Sequence, residues 1–243
     1  MNQAVQRRQV QSAVVEIHPD KRRAGDAAGD YAASLIQDAI MQRGVSRIVI
    51  GTGPSQTEVI AALIRVTTID WSNLTVFHLD EYVGMADTHP ASFHRWLREH
   101  VVDCVHPAVT HYLSGEASDL NAECDRYGQL LESGPIDLMF IGFGENGHIA
   151  FTDPHAADFN DPKIVKCVEM DERCRQQQVG EGHFPDIDSM PHASLSLTCP
   201  TIMAARHLVC TVPDGVRPKP CVTRSKGRSL QTAPHLWYSL TPA

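Results

Sequence analysis

Short apolar runs of strand length alternate along this chain with longer segments of helical periodicity. Strands are predicted at residues 13–17, 46–50, 75–79, 137–141, 192–198 and 207–212. Helices are predicted at residues 27–43, 57–66, 92–102 and 121–133, with Gly44 as a stop and Ser92 as an N-cap. This alternation predicts an α/β fold: a three-layer sandwich with a mostly parallel, Rossmann-like sheet.

One segment joins a strand to a glycine-rich turn that carries acid–base groups. The run FIGFGENGHIAFTDP (residues 140–154) follows the apolar strand and contains three glycines, with Asp153 five residues after His148. Glycines let the backbone turn sharply and approach a ligand closely. In open α/β sheets ligands bind beyond the carboxyl ends of strands. A histidine and a carboxylate at that place indicate proton transfer.

Two other predicted strand ends also carry functional groups. The run TVFHLDEYVGM (residues 75–85) ends its strand in the adjacent carboxylates Asp80 and Glu81. If alternate side chains share a face, Asp80 leaves the strand on the opposite face from Leu79, near the strand end. The turn TGPSQ (residues 52–56) connects a strand to a helix, and its backbone N–H groups and hydroxyls suit a phosphate.

Length and charge narrow the functional class. The chain has 243 residues, 42% hydrophobic content and a net charge of −8, which argues against general nucleic-acid binding. No apolar run has the length of a membrane span, and the polar N-terminus has no signal-peptide core. A cytoplasmic protein that does not enter membranes is therefore expected.

Cysteine and histidine usage give no sign of a disulfide framework or a metal centre. The seven cysteines are odd in number and form no CxxC pair, which favours reduced thiols. The thirteen histidines are scattered, without an HExxH pattern. We therefore expect no metal.

The last thirty residues differ in composition from the rest. After Asp214 the chain has no acidic residue, while five basic residues and several prolines follow. Prolines interrupt helical patterns, and no helix or strand is evident there. We predict an α/β domain over residues 1–213 and a diverged basic tail over residues 214–243.

Four motifs together resemble one family. The strings TGPSQ, LDEYVGM, HPASFHRWL and GFGENGHIAFTDP are similar to segments of the glucosamine-6-phosphate deaminase (isomerase) family, which is related to 6-phosphogluconolactonases. The order of residues in GHIAF favours the deaminase branch. The resemblance runs from about residue 30 to about residue 212.

The resemblance implies an isomerising deaminase that converts an amino-sugar 6-phosphate to a ketose 6-phosphate and ammonia. It implies that Asp80 moves the proton between C2 and C1, that His148 opens the sugar ring and that Asp153 orients this histidine. Glu81 is a further catalytic candidate, or it orients a neighbour. Asn146 stands where better-known members carry Asp; it can fix the tautomer of the histidine, or it is only a turn residue.

The resemblance also implies a phosphate site and no cofactor. Its expected substrate-binding residues are Thr52, Gly53, Ser55, Gly144 and Lys219. An arginine ligand expected near residue 178 is replaced by Gln178. The partner implied is a small amino-sugar phosphate, and a homo-oligomer is possible.

Two other functions stay open from the sequence. A 6-phosphogluconolactonase would use a histidine at the same turn to activate water. A sugar-phosphate-binding regulator would retain the pocket without turnover, and the altered Asn146 and the diverged tail favour it. Glucosamine and galactosamine 6-phosphates are not distinguished.

Overall fold

The structure is a computed structural model that describes residues 5–10, 13–144 and 146–212, and the backbone of residues 236–240. The strands are β1 (Gln6–Val10), β2 (Ala13–Ile17), β3 (Ser46–Ile50), β4 (Leu74–His78), β5 (Asp80–Tyr82), β6 (Val109–His111), β7 (Leu138–Ile141), β8 (Val165–Glu169), β9 (Ala193–Leu197), β10 (His207–Val212) and β11 (Leu236–Leu240). The helices are α1 (Lys21–Arg43), α2 (Thr57–Ile64), α3 (Phe93–Leu97), α4 (Asp103–Val105), α5 (Leu120–Glu132), α6 (Glu172–Gly180) and α7 (Cys199–Met203). A 3₁₀ turn (Trp71–Asn73) precedes β4, and a π-helical segment (Arg98–Val102) joins α3 to α4.

Eight of the described strands form one sheet in the order β1-β2-β11-β10-β7-β3-β4-β6. The five strands from β10 to β6 run parallel to one another. The pairings of β1, β2 and β11 are antiparallel. The prediction of an α/β fold with a mostly parallel sheet is confirmed.

Helices cover both faces of this sheet because the side chains of the central strands alternate between two cores. Ile48 and Ile50 of β3 pack in one fully buried cluster with residues of α1 and α2. Val49, between them, packs in a second cluster with residues of α5, including Tyr127. The period of two residues along a strand produces this division and the three layers.

Helix α1 starts six residues before its predicted start. Asp20 is its N-cap, and the carboxylate accepts a hydrogen bond of 2.8 Å from the backbone N–H of Arg23. The first turn is polar, so apolar periodicity alone could not reveal it. The predicted end is confirmed, because Gly44 is a left-handed C-cap. Ser92 is confirmed as the N-cap of α3.

A second, three-stranded antiparallel sheet has the order β5-β9-β8. The sequence predicted one strand that runs up to Asp80, and this is wrong: β4 ends at His78, and Asp80 starts β5. Asp80 pairs with Ser196 and Tyr82 with Ser194. No local pattern could show this pairing, because the partner strand lies more than 110 residues away in the sequence.

The predicted absence of a strand after residue 213 is also wrong. Strand β11 pairs with β10 on one side and with β2 on the other. Pairing on both sides gives this short segment the strand conformation that its isolated position in the tail did not indicate. The boundary between a domain and a tail stays a prediction, and Lys219 lies outside the described residues. Within the part of the chain that the structure describes, no helix is long and apolar enough to cross a membrane.

Candidate active site

The three functional segments meet at one edge of the large sheet. Strands β3, β4 and β7 are parallel, so their carboxyl ends lie on the same side. The turn after β3 is attached to β7 by a 3.0 Å hydrogen bond from Gly51 N to Phe140 O. The small sheet continues directly from β4. This edge therefore brings together the TGPSQ turn, Asp80 and the turn that carries His148.

His148 has a defined tautomer. Its side chain is 10% exposed, and Nδ1 lies 2.7 Å from Oδ1 of Asn146. An amide oxygen only accepts hydrogen bonds, so Nδ1 carries the proton and Nε2 has the free lone pair. Burial lowers the pKa of His148, although the charges of Asp153, Glu181 and Asp171 oppose this. At neutral pH the imidazole is therefore an uncharged base.

The orientation of the Asn146 amide is set by two carboxylates. Its Nδ2 donates to Asp153 Oδ1 at 2.6 Å and to Asp171 Oδ2 at 3.3 Å. Carboxylate oxygens accept only, so the Nδ2 group must face them and Oδ1 must face His148. The other oxygen of Asp153 accepts from the backbone N–H of Asp171 at 2.9 Å. Asp153 thus acts on His148 through Asn146, because its own separation from Nδ1 is 3.8 Å.

Gly144 makes room for the imidazole. A Cβ on this residue would overlap the ring of His148. The backbone N–H of Gly144 also donates to the carbonyl of His148 at 3.0 Å, which closes the turn. The structure therefore places Gly144 against the histidine as a spacer, and its predicted role in substrate binding stays a prediction.

Asp80 is a buried carboxylate with an elevated proton affinity. The residue is 6% exposed. Burial, and then the charge of Glu81, raise the pKa of Asp80 well above its usual range. Ser196, the strand partner of Asp80, accepts a 3.3 Å hydrogen bond from the backbone N–H of Phe151, three residues after His148. Asp80 and the His148 network therefore share one neighbourhood.

Glu81 stabilises the start of α3. Its carboxylate accepts hydrogen bonds from Ser92 Oγ at 2.9 Å, from Phe93 N at 3.2 Å and from His94 N at 2.7 Å. Burial raises the pKa of Glu81, although these hydrogen bonds act in the opposite direction. These contacts support the alternative that Glu81 orients its surroundings, and its catalytic role stays a prediction.

The TGPSQ turn contains one hydroxyl without a partner among the described residues and one glycine with a positive φ. Thr52 Oγ1 is buried without a hydrogen-bond partner among the described residues. Gly53 has φ of 110°, a conformation that favours glycine. Ser55 Oγ accepts a 3.0 Å hydrogen bond from the Gln56 amide, whose Nε2 also donates to Ile141 O at 2.9 Å. The turn is thus anchored to β7 while Thr52 stays available.

Gln178 and Arg175 of α6, near the position of the expected arginine ligand, are held by contacts within the protein. The Oε1 of Gln178 accepts a 3.0 Å hydrogen bond from the hydroxyl of Tyr82. Arg175 is buried and donates to the carbonyls of Ile187 and Met190. The sequence did not suggest Lys21, yet it borders the turn beside Ser55 and forms an ion pair of 3.3 Å with Glu58.

Two residues near the histidine were not predicted from the sequence. Asp171 caps α6 by accepting from Cys174 N at 2.6 Å, and it also contacts Asn146. Cys174 is fully buried beside His148 and Asp153. The only local signal was an aspartate before a short polar helix, which indicates an N-cap and not a site.

Sequence comparisons identify several similar proteins. The chain is 31% identical over 182 residues to the glucosamine-6-phosphate deaminase of Lactobacillus delbrueckii subsp. bulgaricus, covering 74% of each chain. It is 29% identical over 187 residues to glucosamine-6-phosphate deaminase 1 of Bacillus subtilis, covering 74% of this chain and 75% of that protein.

Structural comparisons agree with the sequence. A solved structure of a monomeric glucosamine-6-phosphate deaminase matches with a TM-score of 0.70 and 28% identity over 78% of each chain. A 6-phosphogluconolactonase from Shewanella baltica matches with a TM-score of 0.63 and 21% identity, covering 78% of this chain and 76% of that one. The second likeness shows the fold alone.

A family profile gives the broadest match. Residues 19–231 match the profile described as glucosamine-6-phosphate isomerases/6-phosphogluconolactonase, which extends beyond the end at residue 212 that the motifs suggested. With most of its length matched and a relative above 30% identity, the chain belongs to the glucosamine-6-phosphate isomerase/6-phosphogluconolactonase family.

Proposed function

We propose that this protein is an isomerising deaminase that converts an amino-sugar 6-phosphate and water to a ketose 6-phosphate and ammonia. The observation that carries the proposal is the neutral His148, held with a free Nε2 in the same neighbourhood as the buried base Asp80. The similarity to glucosamine-6-phosphate deaminases supports glucosamine 6-phosphate as the first substrate to test.

His148 performs the ring opening. Its Nε2 takes the proton of the anomeric hydroxyl, the C1–O5 bond breaks, and the proton passes to O5 to give the open-chain aldehyde. The Nδ1–H bond to Asn146 keeps Nε2 unprotonated before this step. A base whose pKa lies near the working pH can both take and return a proton.

Asp80 performs the isomerisation. Its carboxylate takes the proton from C2 while a proton from solvent converts the C1 oxygen to a hydroxyl, which gives an enolamine. The proton held by Asp80 then goes to C1, and the enolamine becomes an iminium at C2. Water adds to C2 and the nitrogen leaves as ammonia, so one water is consumed. A raised pKa gives Asp80 the proton affinity that removal of a carbon-bound proton requires.

The phosphate binds at the TGPSQ turn in this proposal. The unpartnered Thr52 Oγ1 and the backbone at Gly53 supply donors. Ser55 and the predicted Lys219 complete the expected set, and the charge of Lys21 lies beside the turn. No step of this chemistry needs a redox cofactor.

Location and assembly are part of the proposal. The six described cysteines are free thiols, which suits a reducing cytoplasm. Self-association into a homo-oligomer stays a prediction that light scattering of the purified chain tests.

The test measures ammonia and ketose phosphate together. Purified full-length protein is incubated with glucosamine 6-phosphate, galactosamine 6-phosphate and, separately, 6-phosphogluconolactone. Asp80→Asn is the loss-of-function variant, and Asp87→Asn is its matched control at an exposed carboxylate. We expect equal amounts of ammonia and ketose phosphate from one amino sugar, retained in Asp87→Asn and lost in Asp80→Asn.

Other outcomes would contradict the proposal. Consumption of the lactone alone would assign a hydrolase in which His148 activates water. Thermal stabilisation by a sugar phosphate without turnover would assign a binding protein that lacks the chemistry.

A further inference from the structure

Cys174 of α6 places a sulfur atom next to two groups of the proposed site. A ring nitrogen of His148, a carboxylate oxygen of Asp153 and the Cys174 sulfur all lie within 4.8 Å of one another, and all three residues are buried. Cys174 itself has no solvent-exposed surface. Nitrogen, oxygen and sulfur ligands therefore converge on one point.

The surroundings of the thiol are acidic. Asp171 Oδ1 accepts a 2.6 Å hydrogen bond from the backbone N–H of Cys174, and an oxygen of Asp171 lies within 4.8 Å of one of Asp153. A positive ion at this point would interact favourably with both carboxylates.

The ligand types narrow the class of ion. Magnesium and calcium select oxygen ligands, so a sulfur ligand disfavours them. Zinc and related transition ions accept imidazole, carboxylate and thiolate together, and a set of three leaves a fourth position for water. Metal–ligand bonds of about 2.0–2.3 Å allow two ligand atoms to lie up to about 4.6 Å apart, so this spacing is close to what one shared ion requires.

We propose that His148, Asp153 and Cys174 form a binding site for Zn²⁺ that inhibits the protein when occupied. The ion replaces the hydrogen bonds through which Asn146 links His148 to Asp153. His148 then donates a lone pair to the metal and can no longer act as the ring-opening base. The inhibition rests on the proposed function, whereas the binding does not.

Binding is tested first, with Co²⁺ as the spectroscopic probe for Zn²⁺. The full-length protein is stripped with a chelator and titrated, and the thiolate-to-cobalt charge-transfer absorption is followed. We expect this absorption in the wild type and not in Cys174→Ser. Cys199→Ser, another buried thiol, is the matched control and should keep it. His148→Gln, which retains the thiol, should weaken Co²⁺ binding by about tenfold or more.

Inhibition is tested second, by ammonia release at increasing Zn²⁺. Cys174→Ser should retain turnover but need about tenfold or more Zn²⁺ for half inhibition. If circular dichroism shows that Cys174→Ser does not fold, Cys174→Ala and His148→Gln replace it in the cobalt titration. A failure of the deaminase assay alone leaves the cobalt result intact, so the two proposals can fail separately.

Two results would overturn the metal site. One is cobalt absorption that is the same in Cys174→Ser and in the wild type. The other is Co²⁺ binding that shows no thiolate absorption and is lost in His155→Asn. That result would place the ion at a second group, which His155 and Asp171 form with Asp153 nearer the solvent.

Discussion

Asn146 Nδ2 lies 2.6 Å from Asp153 Oδ1, so the carboxylate determines which end of the amide faces His148. The resemblance of this turn to the deaminase family implied an aspartate in this place. An aspartate would put a negative charge against the imidazole, whereas the asparagine supplies only an oriented acceptor. The amide therefore fixes a tautomer without stabilising the imidazolium.

Asn146→Asp should raise the pKa of His148, because a carboxylate within hydrogen-bond distance favours the charged ring. The histidine should then titrate at higher pH in a carbon-bound proton NMR titration. Asn146→Ser, which adds no charge, is the control. An unchanged His148 titration in Asn146→Asp would show that this contact does not set the protonation state.

Gly144→Ala should abolish most activity while the fold persists. The added methyl group would overlap the His148 ring, so the imidazole must leave its position. Gly180→Ala is the matched control, since a Cβ there meets nothing within 4 Å and alanine favours the helix by about 0.5–1 kcal/mol. Ammonia release and the midpoint of thermal unfolding are compared. Full activity in Gly144→Ala would contradict the spacer role.

The sequence predicted the central strands β10, β7, β3 and β4 of the large sheet and the three functional turns, because each has a local signature. Strand β7 is an uninterrupted apolar run, and the glycines that follow it mark the turn directly. The second sheet has no such signature: β5 has three residues, and its partner β9 is distant in sequence. Cys174 was not predicted as a site residue for the same reason, since only the tertiary fold brings α6 beside His148. Local patterns therefore predicted elements and turns, but not the contacts between distant segments.

Glu81→Ala should destabilise the fold more than it slows the chemistry. The substitution leaves Ser92 Oγ and the N–H groups of Phe93 and His94 without their acceptor. Loss of a buried cap of this kind costs about 1–3 kcal/mol. Urea unfolding measures the loss, with Glu81→Gln as the milder control. A stable Glu81→Ala protein without activity would instead assign Glu81 to the catalytic machinery.

The raised pKa of Asp80 links activity to pH on the acid side. The base must be ionised to take the C2 proton, and burial together with Glu81 keeps it protonated at pH values where an ordinary aspartate is already charged. We therefore expect kcat/KM to fall with decreasing pH well above the usual range of aspartate, near 4. If kcat/KM instead falls only at the ordinary aspartate pKa, a group other than Asp80 determines its dependence on pH.

The raised pKa of Asp80 makes the stability of the fold decrease with rising pH, whereas it makes kcat/KM increase. The folded protein keeps the Asp80 proton at pH values where the unfolded chain has lost it. The stability that this proton contributes is therefore fully present below the unfolded pKa, and it is lost as pH rises through the folded pKa. Asp80→Asn has no proton to lose and should be more stable than the wild type above that window, with the difference vanishing towards low pH. Glu81 faces the same carboxylate and is present in both proteins, so the comparison isolates Asp80. Urea unfolding of both proteins across the pH range checks this, and a constant difference would show that Asp80 is ionised normally.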